Sequence, residues 1–353
     1  MIPLNIIHEI LKAGVWAPSG DNRQPWKFSI QGDRVDVHNA PERDVSLYNF
    51  EQKAVYVSHG ALLENIRIAS SALGFSTEIS LFPTAENQNN TASILFIENK
   101  KRDEPLYQFI SRRATNRKPY KTSLLSLDQQ DDLIRSAKEI GYGTVALIED
   151  ADKKNILARA VSANEQIVLE TEIMHKTFFE YVVWSKMEEQ EKKSGLYIKT
   201  LELSPPQALG FRLFKYWPIM KMLNKIGFAK FVSNENAKIY ASSAAIGAIF
   251  IPGTSAADFI MAGRLLERVW LKTTRMGLSF QPLTGISFLM HRIQANQAEA
   301  LSQGHKRIIS DAYSEIQHIF QPGNNTIALL FRIGNGGEPS ARSSRLEPVI
   351  INA

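Results

Sequence analysis

The stretch His59-Gly-Ala-Leu-Leu-Glu-Asn-Ile-Arg-Ile-Ala-Ser-Ser-Ala-Leu-Gly74 shares its pattern with a later stretch, Ala262-Gly-Arg-Leu-Leu-Glu-Arg-Val-Trp-Leu-Lys-Thr-Thr-Arg-Met-Gly277. Aligned without a gap, both copies have Gly in second place, then Leu-Leu-Glu, an apolar stripe at helical spacing and a closing Gly before an extended segment. The repeat predicts an internal duplication. Each half would supply a similar long helix and a sheet, packed about a pseudo-twofold axis like a dimer fused into one chain.

Patterns outside the repeat predict further helices and strands in both halves. In the first half we expect a helix over 4–16, a hairpin formed by 26–30 and 34–38, and a strand over 93–98. The second half has helical patterns at 106–112, 127–140 and within 152–191, and strand patterns at 144–149, 244–251 and 326–333. This mixture predicts an α+β fold, with a first half over 1–104 and a second half over 105–353.

Composition narrows the classes of function. The 353 residues include no cysteine, which excludes disulfides, thiolate metal sites, cysteine nucleophiles and iron–sulfur clusters. The seven histidines show no metal-binding spacing, so no metal is expected. The net charge of +5 suits an anionic ligand such as a nucleotide but is too small and dispersed for nucleic acid. No signal peptide or membrane-spanning run is evident, so we expect a cytoplasmic protein without stable membrane insertion.

A basic turn is the first candidate for a binding site. It reads Ser111-Arg-Arg-Ala-Thr-Asn-Arg-Lys-Pro-Tyr120. Arg113, Thr115 and Arg117 alternate, so a short non-helical turn would aim two guanidinium groups and a hydroxyl at one phosphate. The alternative is a basic run on a solvated surface, which charge patterning alone favours.

The segment 203–231 is aromatic, Met-rich and basic, and three readings of it stay open. A lid over a planar ligand would have this composition, and the lid as a whole would span about 195–236. A surface helix that buries its apolar face on the core is equally compatible. A helix lying on a membrane surface is the third reading.

The motifs taken together resemble the FMN-dependent nitroreductase superfamily. The loop Ala17-Pro-Ser-Gly-Asp-Asn-Arg-Gln-Pro-Trp26 is similar to that family's P-S-x-x-N-x-Q-P-W loop, although we expect Trp26 itself to be a core anchor. The set Arg113-x-Thr115-x-Arg117 resembles the family's phosphate motif with Thr in place of Ser, and Arg345 resembles its C-terminal phosphate-binding Arg. Thr284 and Gly285 fall on a Glu-Gly pair whose backbone meets the flavin ring in the family. Lys238 falls near a Lys beside flavin N1 and O2.

The resemblance implies a nitroreductase-like three-layer sandwich in which one chain mimics the family's dimer, as in the double-length, Acg-like branch. The loop that contains Pro18, Ser19 and Asn22 precedes the phosphate motif here, the reverse of the usual order. Each half lacks one of the two motifs, so one complete pocket is expected. The second half would hold the phosphate and ring, the first half would contribute its loop, and one FMN would bind per monomeric chain, with further oligomers left open.

The activity that the resemblance implies is NAD(P)H oxidation by FMN. The reduced flavin would pass electrons to an electron-poor acceptor such as a nitroaromatic or a quinone, in ping-pong fashion and with no catalytic side chain. Lys238 and the Thr284-Gly285 turn would serve the N1/O2 and N5 sides of the flavin. Two rivals stay open, namely a non-enzymatic FMN-binding or storage protein with a closed lid, and an interaction scaffold without flavin.

Overall fold

The computed structural model describes residues 2–84 and 87–352. In the first half, one helix and a hairpin are followed by a long helix and two more strands. They are α1 (Leu4–Gly14), β1 (Trp26–Gln31), β2 (Arg34–Asn39), α2 (Lys53–Ala72), β3 (Phe75–Leu81) and β4 (Asn90–Glu98). Trp26 at the start of β1 is 2% exposed, which confirms it as a core anchor.

The second half repeats this plan with two large insertions. It comprises α3 (Leu127–Ile140), β5 (Thr144–Ile148), α4 (Ala151–Glu170), α5 (Glu172–Glu180), β6 (Val182–Val183), α6 (Lys186–Lys192), β7 (Leu196–Tyr197), α7 (Pro205–Phe214), α8 (Trp217–Asn224), α9 (Phe228–Ala241), β8 (Ala245–Ile251), α10 (Ala256–Arg275), β9 (Ser279–Leu283), α11 (Gly285–Gln294), α12 (Gln303–Phe320) and β10 (Thr326–Gly334).

Two antiparallel four-stranded sheets share one strand order. The first sheet runs β1-β2-β4-β3 and the second β5-β8-β10-β9. Counted in sequence order, the second and fourth strands of each sheet lie in its centre. The long helix (α2 or α10) connects the second strand in sequence to the third. The insertions are α4 to α9, between β5 and β8, and α11 with α12, between β9 and β10. This matching topology agrees with the duplication that the repeated helix predicts.

The two long helices cross at equivalent glycines of the repeat. A Cβ on Gly60 would lie 1.8 Å from the carbonyl oxygen of Ile260, and one on Gly263 would lie 1.9 Å from that of Val57. The close approach therefore requires glycine on both helices. Four residues after Gly60, the buried Glu64 accepts hydrogen bonds from Arg264 and Arg268 of α10. Burial alone would raise the pKa of Glu64, but Arg268, Arg67 and Arg264 together lower it to about 2.

Helices and sheets build two large apolar clusters and a small third one at Ile68, Leu106, Ile110 and Leu271. α2 packs on α10, and this pair contacts strands of both sheets, so one apolar core runs through both halves. A second apolar cluster lies on the other side of the second sheet, where α4, α11 and α12 cover it. The second sheet is thus sandwiched between helical layers. No helix within 2–84 and 87–352 is long and apolar enough to cross a membrane.

The C-terminal tail crosses from the second half to the first. The Phe28 N–H donates to Val349 O at 2.9 Å, and Ile351 N–H donates to Phe28 O at 2.7 Å, so the tail lies parallel to β1 as an added edge. Arg342 and Arg345 precede the paired part of the tail. The crossing therefore places them beside the loop that follows α1.

Several element boundaries differ from the predicted ones. The helix expected over 106–112 is wrong, because only a 3-10 turn forms at Tyr107–Phe109. Asn116 donates its N–H to Phe280 O of β9 instead of continuing a helix, and proline flanks the segment on both sides. α2 begins at Lys53 rather than at 59, because Val55, Tyr56 and Val57 are also buried and extend its apolar face. α11 and α12 were not predicted.

Candidate anion-binding site

The loop after α1 has a strained backbone held by its own side chains. Asp21, Asn22 and Gln24 have positive φ angles of 47°, 57° and 52°. Ser19 Oγ accepts a hydrogen bond from Gln24 N at 2.9 Å. The fully buried Gln24 side chain donates to Lys193 O and accepts from Leu346 N. The loop is therefore tied to the end of α6 and to the C-terminal tail.

The basic turn is fixed by two residues that sequence reasoning missed. The Asn116 amide donates to Ser279 Oγ at 3.0 Å and to Gly337 O at 2.7 Å. The fully buried Arg332 of β10 donates to Lys118 O at 2.8 Å and stacks over the Tyr120 ring at 3.9 Å. These bonds fix a non-helical backbone in which Arg113, Thr115 and Arg117 point toward one pocket. The sequence signal that could have identified Arg332 is a charged residue within the otherwise apolar run of β10.

Two arginines of the basic turn and one arginine of the C-terminal tail converge there. Arg113 donates to Trp16 O at 2.5 Å, and its Nε lies 3.1 Å from Glu267 Oε1. Arg117 donates to Thr200 O at 2.9 Å. Arg345 donates to the carbonyls of Ser343 and Ser344 and lies 5.6 Å from the centre of the Trp16 ring.

The pocket that these arginines line has a cavity volume of about 90 Å³. We call it the guanidinium pocket. Its lining is drawn from the α1 loop, the basic turn, the chain between β7 and α7, and the C-terminal tail. The lining residues are Trp16, Pro18, Ser19, Asp21, Asn22, Arg113, Ala114, Thr115, Arg117, Leu196, Thr200, Ala341, Arg342, Ser343 and Arg345.

The predicted loop and phosphate residues are thus brought together. Pro18, Ser19 and Asn22 come from the first half, and Arg113, Thr115, Arg117 and Arg345 from the second.

The charge of the pocket favours an anion. Four arginines line it against one aspartate, Asp21, which already pairs with Arg23 at 3.0 Å. Glu267 lies behind Arg113, and burial raises the pKa of Glu267 to about 7 in spite of that arginine. Burial also lowers the pKa of Arg345 to about 9, with repulsion from Arg113 as the next cause. Arg345 is still charged at pH 7, so a bound anion would relieve this repulsion.

Three buried polar atoms of the residues that line the pocket have no hydrogen-bond partner, and one of them, Arg113 Nε, lies 3.1 Å from Glu267 Oε1 without forming a hydrogen bond to it. Arg345 Nε has no hydrogen-bond acceptor, and Asn22 Oδ1 has no donor, although Asn22 Nδ2 donates to Ser344 O at 3.1 Å. Buried polar groups in folded proteins are nearly always paired, and a phosphate oxygen would satisfy the Arg345 donor. A phosphate group therefore fits this pocket by charge and by its open donors.

The predicted ring-binding residues lie elsewhere. Thr284 precedes α11, and Gly285 is its first residue. A Cβ on Gly285 would lie 2.1 Å from Asn164 Oδ1, so α4 packs directly on this glycine. Tyr48 of the first half donates to the same Asn164 oxygen at 2.7 Å. Asn164 therefore lies over the backbone that the resemblance assigns to a flavin ring.

The structure does not bring Lys238 into the pocket. Its side chain is 72% exposed and pairs with Glu235 one helical turn earlier. α9 turns Ala237 and Tyr240 inward instead. The helical register of α9 therefore directs Lys238 away from the pocket.

The segment expected as a lid divides into two parts. Leu196 and Thr200, at its start, form one wall of the guanidinium pocket. The aromatic part forms α7, α8 and the start of α9, and among the described residues none from 203 to 236 lines this pocket. Phe211 packs instead against Phe179 and Trp184, with ring centres 4.9 and 5.9 Å away.

Residues 1–147 match the model of the Nitroreductase family. "Uncharacterized protein MT1398" of Mycobacterium tuberculosis is 20% identical over 344 residues, which cover 95% of this chain and 46% of that protein. "Putative NAD(P)H nitroreductase Rv3131" of the same species is 24% identical over 189 residues, 51% of each chain. The chain therefore spans about half the length of these curated relatives.

A likeness to solved structures is weaker. The FMN-dependent nitroreductase NfnB of Mycobacterium smegmatis, solved with NADPH, covers 66% of this chain and 88% of its own, with 12% identity and a TM-score of 0.37.

Proposed function

From the nitroreductase-family segment over residues 1–147, we propose that this protein is an FMN-dependent NAD(P)H oxidoreductase. Bound FMN would supply the redox chemistry, taking a hydride from NAD(P)H and passing electrons to an electron-poor acceptor such as a nitroaromatic or a quinone. The protein supplies position and charge. The relatives named for NAD(P)H nitroreductase activity support this reading.

The observation that carries the proposal is the convergence of two distant motifs in one pocket. Arg113, Thr115, Arg117 and Arg345 would hold the FMN phosphate, with the unpartnered Arg345 Nε as one donor. Pro18, Ser19 and Asn22 would contact the same ligand from the first half. The positive φ angles in the loop after α1 cost free energy, and backbone strain of this kind is concentrated at ligand-binding sites.

The ring would extend from the phosphate toward the Thr284-Gly285 turn. The Gly285 N–H starts a helix, and its position offers a backbone donor with no Cβ in the way. Asn164 lies against this glycine, so its side chain must turn aside for a ring to contact Gly285. Tyr48 is positioned to hold Asn164 in the closed arrangement.

Closure by Asn164 favours a second candidate, an FMN-binding protein that stores flavin without turnover. In that case α4 and the wall at Leu196 and Thr200 would exclude nicotinamide from the ring. The two candidates share the phosphate contacts and differ in access to the ring.

Anaerobic absorbance spectroscopy separates the candidates. Purified protein loaded with FMN is mixed with NADPH and then with NADH. Flavin bands that bleach support the oxidoreductase and identify its donor. Bands that persist favour the storage protein, whereas a protein that takes up no FMN contradicts both.

A further inference from the structure

Residues 205–231 carry the whole net charge of the protein. We call them the basic apolar segment. They contain five basic residues and no acidic one: Arg212, Lys215, Lys221, Lys225 and Lys230. The full chain has 41 basic and 36 acidic residues, so 36 of each sign remain outside the segment. The excess positive charge is thus concentrated on α7, α8 and the start of α9.

The same segment exposes large apolar side chains. Six of the sixteen exposed large hydrophobics in the described residues lie in it, although it contains only 27 of the 353 residues. They are Leu209, Leu213, Tyr216, Met222, Ile226 and Phe231, between 52% and 81% exposed. A concentration of this kind marks an interaction surface, whereas scattered exposed apolar residues do not.

Most of the exposed apolar side chains lie along α7, α8 and the turn after α8. Leu209 and Leu213 are four residues apart on α7, whereas Met222 lies on α8 and Ile226 in the turn that follows it. α7 has no buried residue at all. The opposite side of the segment is anchored, because Met220 is fully buried and the Phe214 and Phe228 rings pack 4.8 Å apart. The exposed face is therefore held on a fixed scaffold.

The charges of this segment are not neutralised by acidic side chains of the described residues. None of the five forms an ion pair with a carboxylate within the described ranges 2–84 and 87–352. Glu172 of α5, which interacts electrostatically with Lys221, already pairs with Lys176 at 2.6 Å. Arg212 and Lys215 lie over the Trp184 ring, at 5.9 and 5.7 Å from its centre, with their charged ends free for an outside anion.

We propose that the basic apolar segment docks this protein on the surface of a membrane that contains anionic lipids. Interfacial helices combine lysine and arginine with bulky apolar and aromatic side chains, and the apolar groups enter the headgroup layer while the cations meet lipid phosphates. A second copy of the chain is a poorer occupant, because a twofold contact would place this all-cationic face against itself. Docking in this sense is peripheral, with no helix crossing the bilayer.

Vesicle co-sedimentation tests the proposal with the full chain. Vesicles of phosphatidylcholine alone are compared with vesicles containing 30% phosphatidylglycerol, at about 50 and about 300 mM salt. Binding is expected to phosphatidylglycerol vesicles at low salt and to weaken at high salt. Each lysine removed should weaken binding about fivefold. K221Q/K225Q is expected to lose most binding, and M222S/I226S is expected to lose it as well because the apolar insertion is gone.

Matched variants elsewhere on the surface serve as controls. K100Q/K101Q removes the same charge from exposed positions, and L124S/L127S removes two leucines that are 68% and 78% exposed. Both controls are expected to bind like the parent. Equal binding of all four variants, equal binding to both vesicle types, or no binding at low salt would overturn the proposal. A concentration-dependent dimer that M222S/I226S abolishes in sedimentation velocity would overturn it in favour of self-association.

Discussion

Gly60 and Gly263 are in contact at the crossing of α2 and α10, where a Cβ on Gly60 would lie 2.8 Å from the Cα of Gly263. These glycines occupy the same position in the two copies of the repeat. The crossing joins the two halves and so positions the first-half loop opposite the second-half arginines.

Replacing either glycine with alanine is expected to destabilise the protein severely. The added Cβ would meet a backbone carbonyl of the other helix at 1.8 or 1.9 Å, and backbone cannot move aside locally. We expect G60A and G263A to lower the free energy of unfolding by at least about 3 kcal/mol. Urea unfolding followed by circular dichroism measures this loss.

A helical glycine with free space provides the control. Gly304 of α12 has only Ser302 Oγ near its Cβ position, at 3.7 Å, so G304A is expected to be neutral or slightly stabilising. Equal losses in G60A and G304A would contradict the close-crossing argument.

Glu165 gives the protein a pH-dependent stability. Burial raises the pKa of its carboxyl to about 7, and Tyr240 donates to it at 2.6 Å while its other oxygen has no partner. A raised carboxyl pKa means that the folded state binds more protons than the unfolded state between pH 4.5 and 7, so this group lowers stability as pH rises through that window.

The variant E165Q should therefore be more stable than the parent at pH 8, by up to about 3 kcal/mol, and nearly equal to it at pH 4.5. Thermal unfolding at both pH values measures the difference. A gain of the same size at both pH values would contradict the assignment.

Arg117 and Arg345 of the guanidinium pocket should discriminate FMN from riboflavin, which lacks the phosphate. Hydrogen bonds to a charged group contribute about 1.5 to 3 kcal/mol each, so R117A and R345A are expected to weaken FMN binding about ten- to a hundredfold. Riboflavin binding should change little. Fluorescence titration of apoprotein measures both constants.

Arg307 supplies the matched control, because it is an exposed arginine paired only with Asp311 on its own helix. The variant R307A is expected to bind FMN like the parent. Equal losses for FMN and riboflavin in R345A would indicate a folding defect rather than a lost phosphate contact.

Asn164 is expected to control access to the ring. The variant N164A removes the side chain that packs on Gly285. The rate of flavin reduction by NADPH in stopped-flow absorbance should therefore rise. Q166A on the same helix, whose side chain bonds only Glu170, is the control. An unchanged rate in N164A at equal flavin content would place the ring away from Gly285.

The sequence predicted the guanidinium pocket better than its surroundings. Arg113, Thr115 and Arg117 follow a spacing that only a non-helical turn can use, and the crossing tail brings Arg345 to them. Asn116 and Arg332 were missed, because their role is to hold backbone carbonyls in a tertiary arrangement that no local pattern records. Glu267 lies in the repeated Leu-Leu-Glu, and its equivalence to the buried Glu64 was the available signal.

The insertion between β5 and β8 limited what could be predicted about the residues assigned to the flavin ring. α4 carries Asn164 to Gly285, and α9 turns Lys238 outward, and neither follows from a motif. Helical periodicity could have placed Lys238 on the opposite face from Ala237 and Tyr240, but it gives no contact between distant helices.

The division into halves at 104 and 105 stays a prediction, as does the claim of one flavin per chain. The most direct test is the stoichiometry of FMN in an equilibrium titration of apoprotein, with riboflavin as the comparison. We predict one tightly bound FMN per chain and much weaker binding of riboflavin. Two FMN per chain, or equal affinity for FMN and riboflavin, would contradict a single site built on Arg113, Arg117 and Arg345.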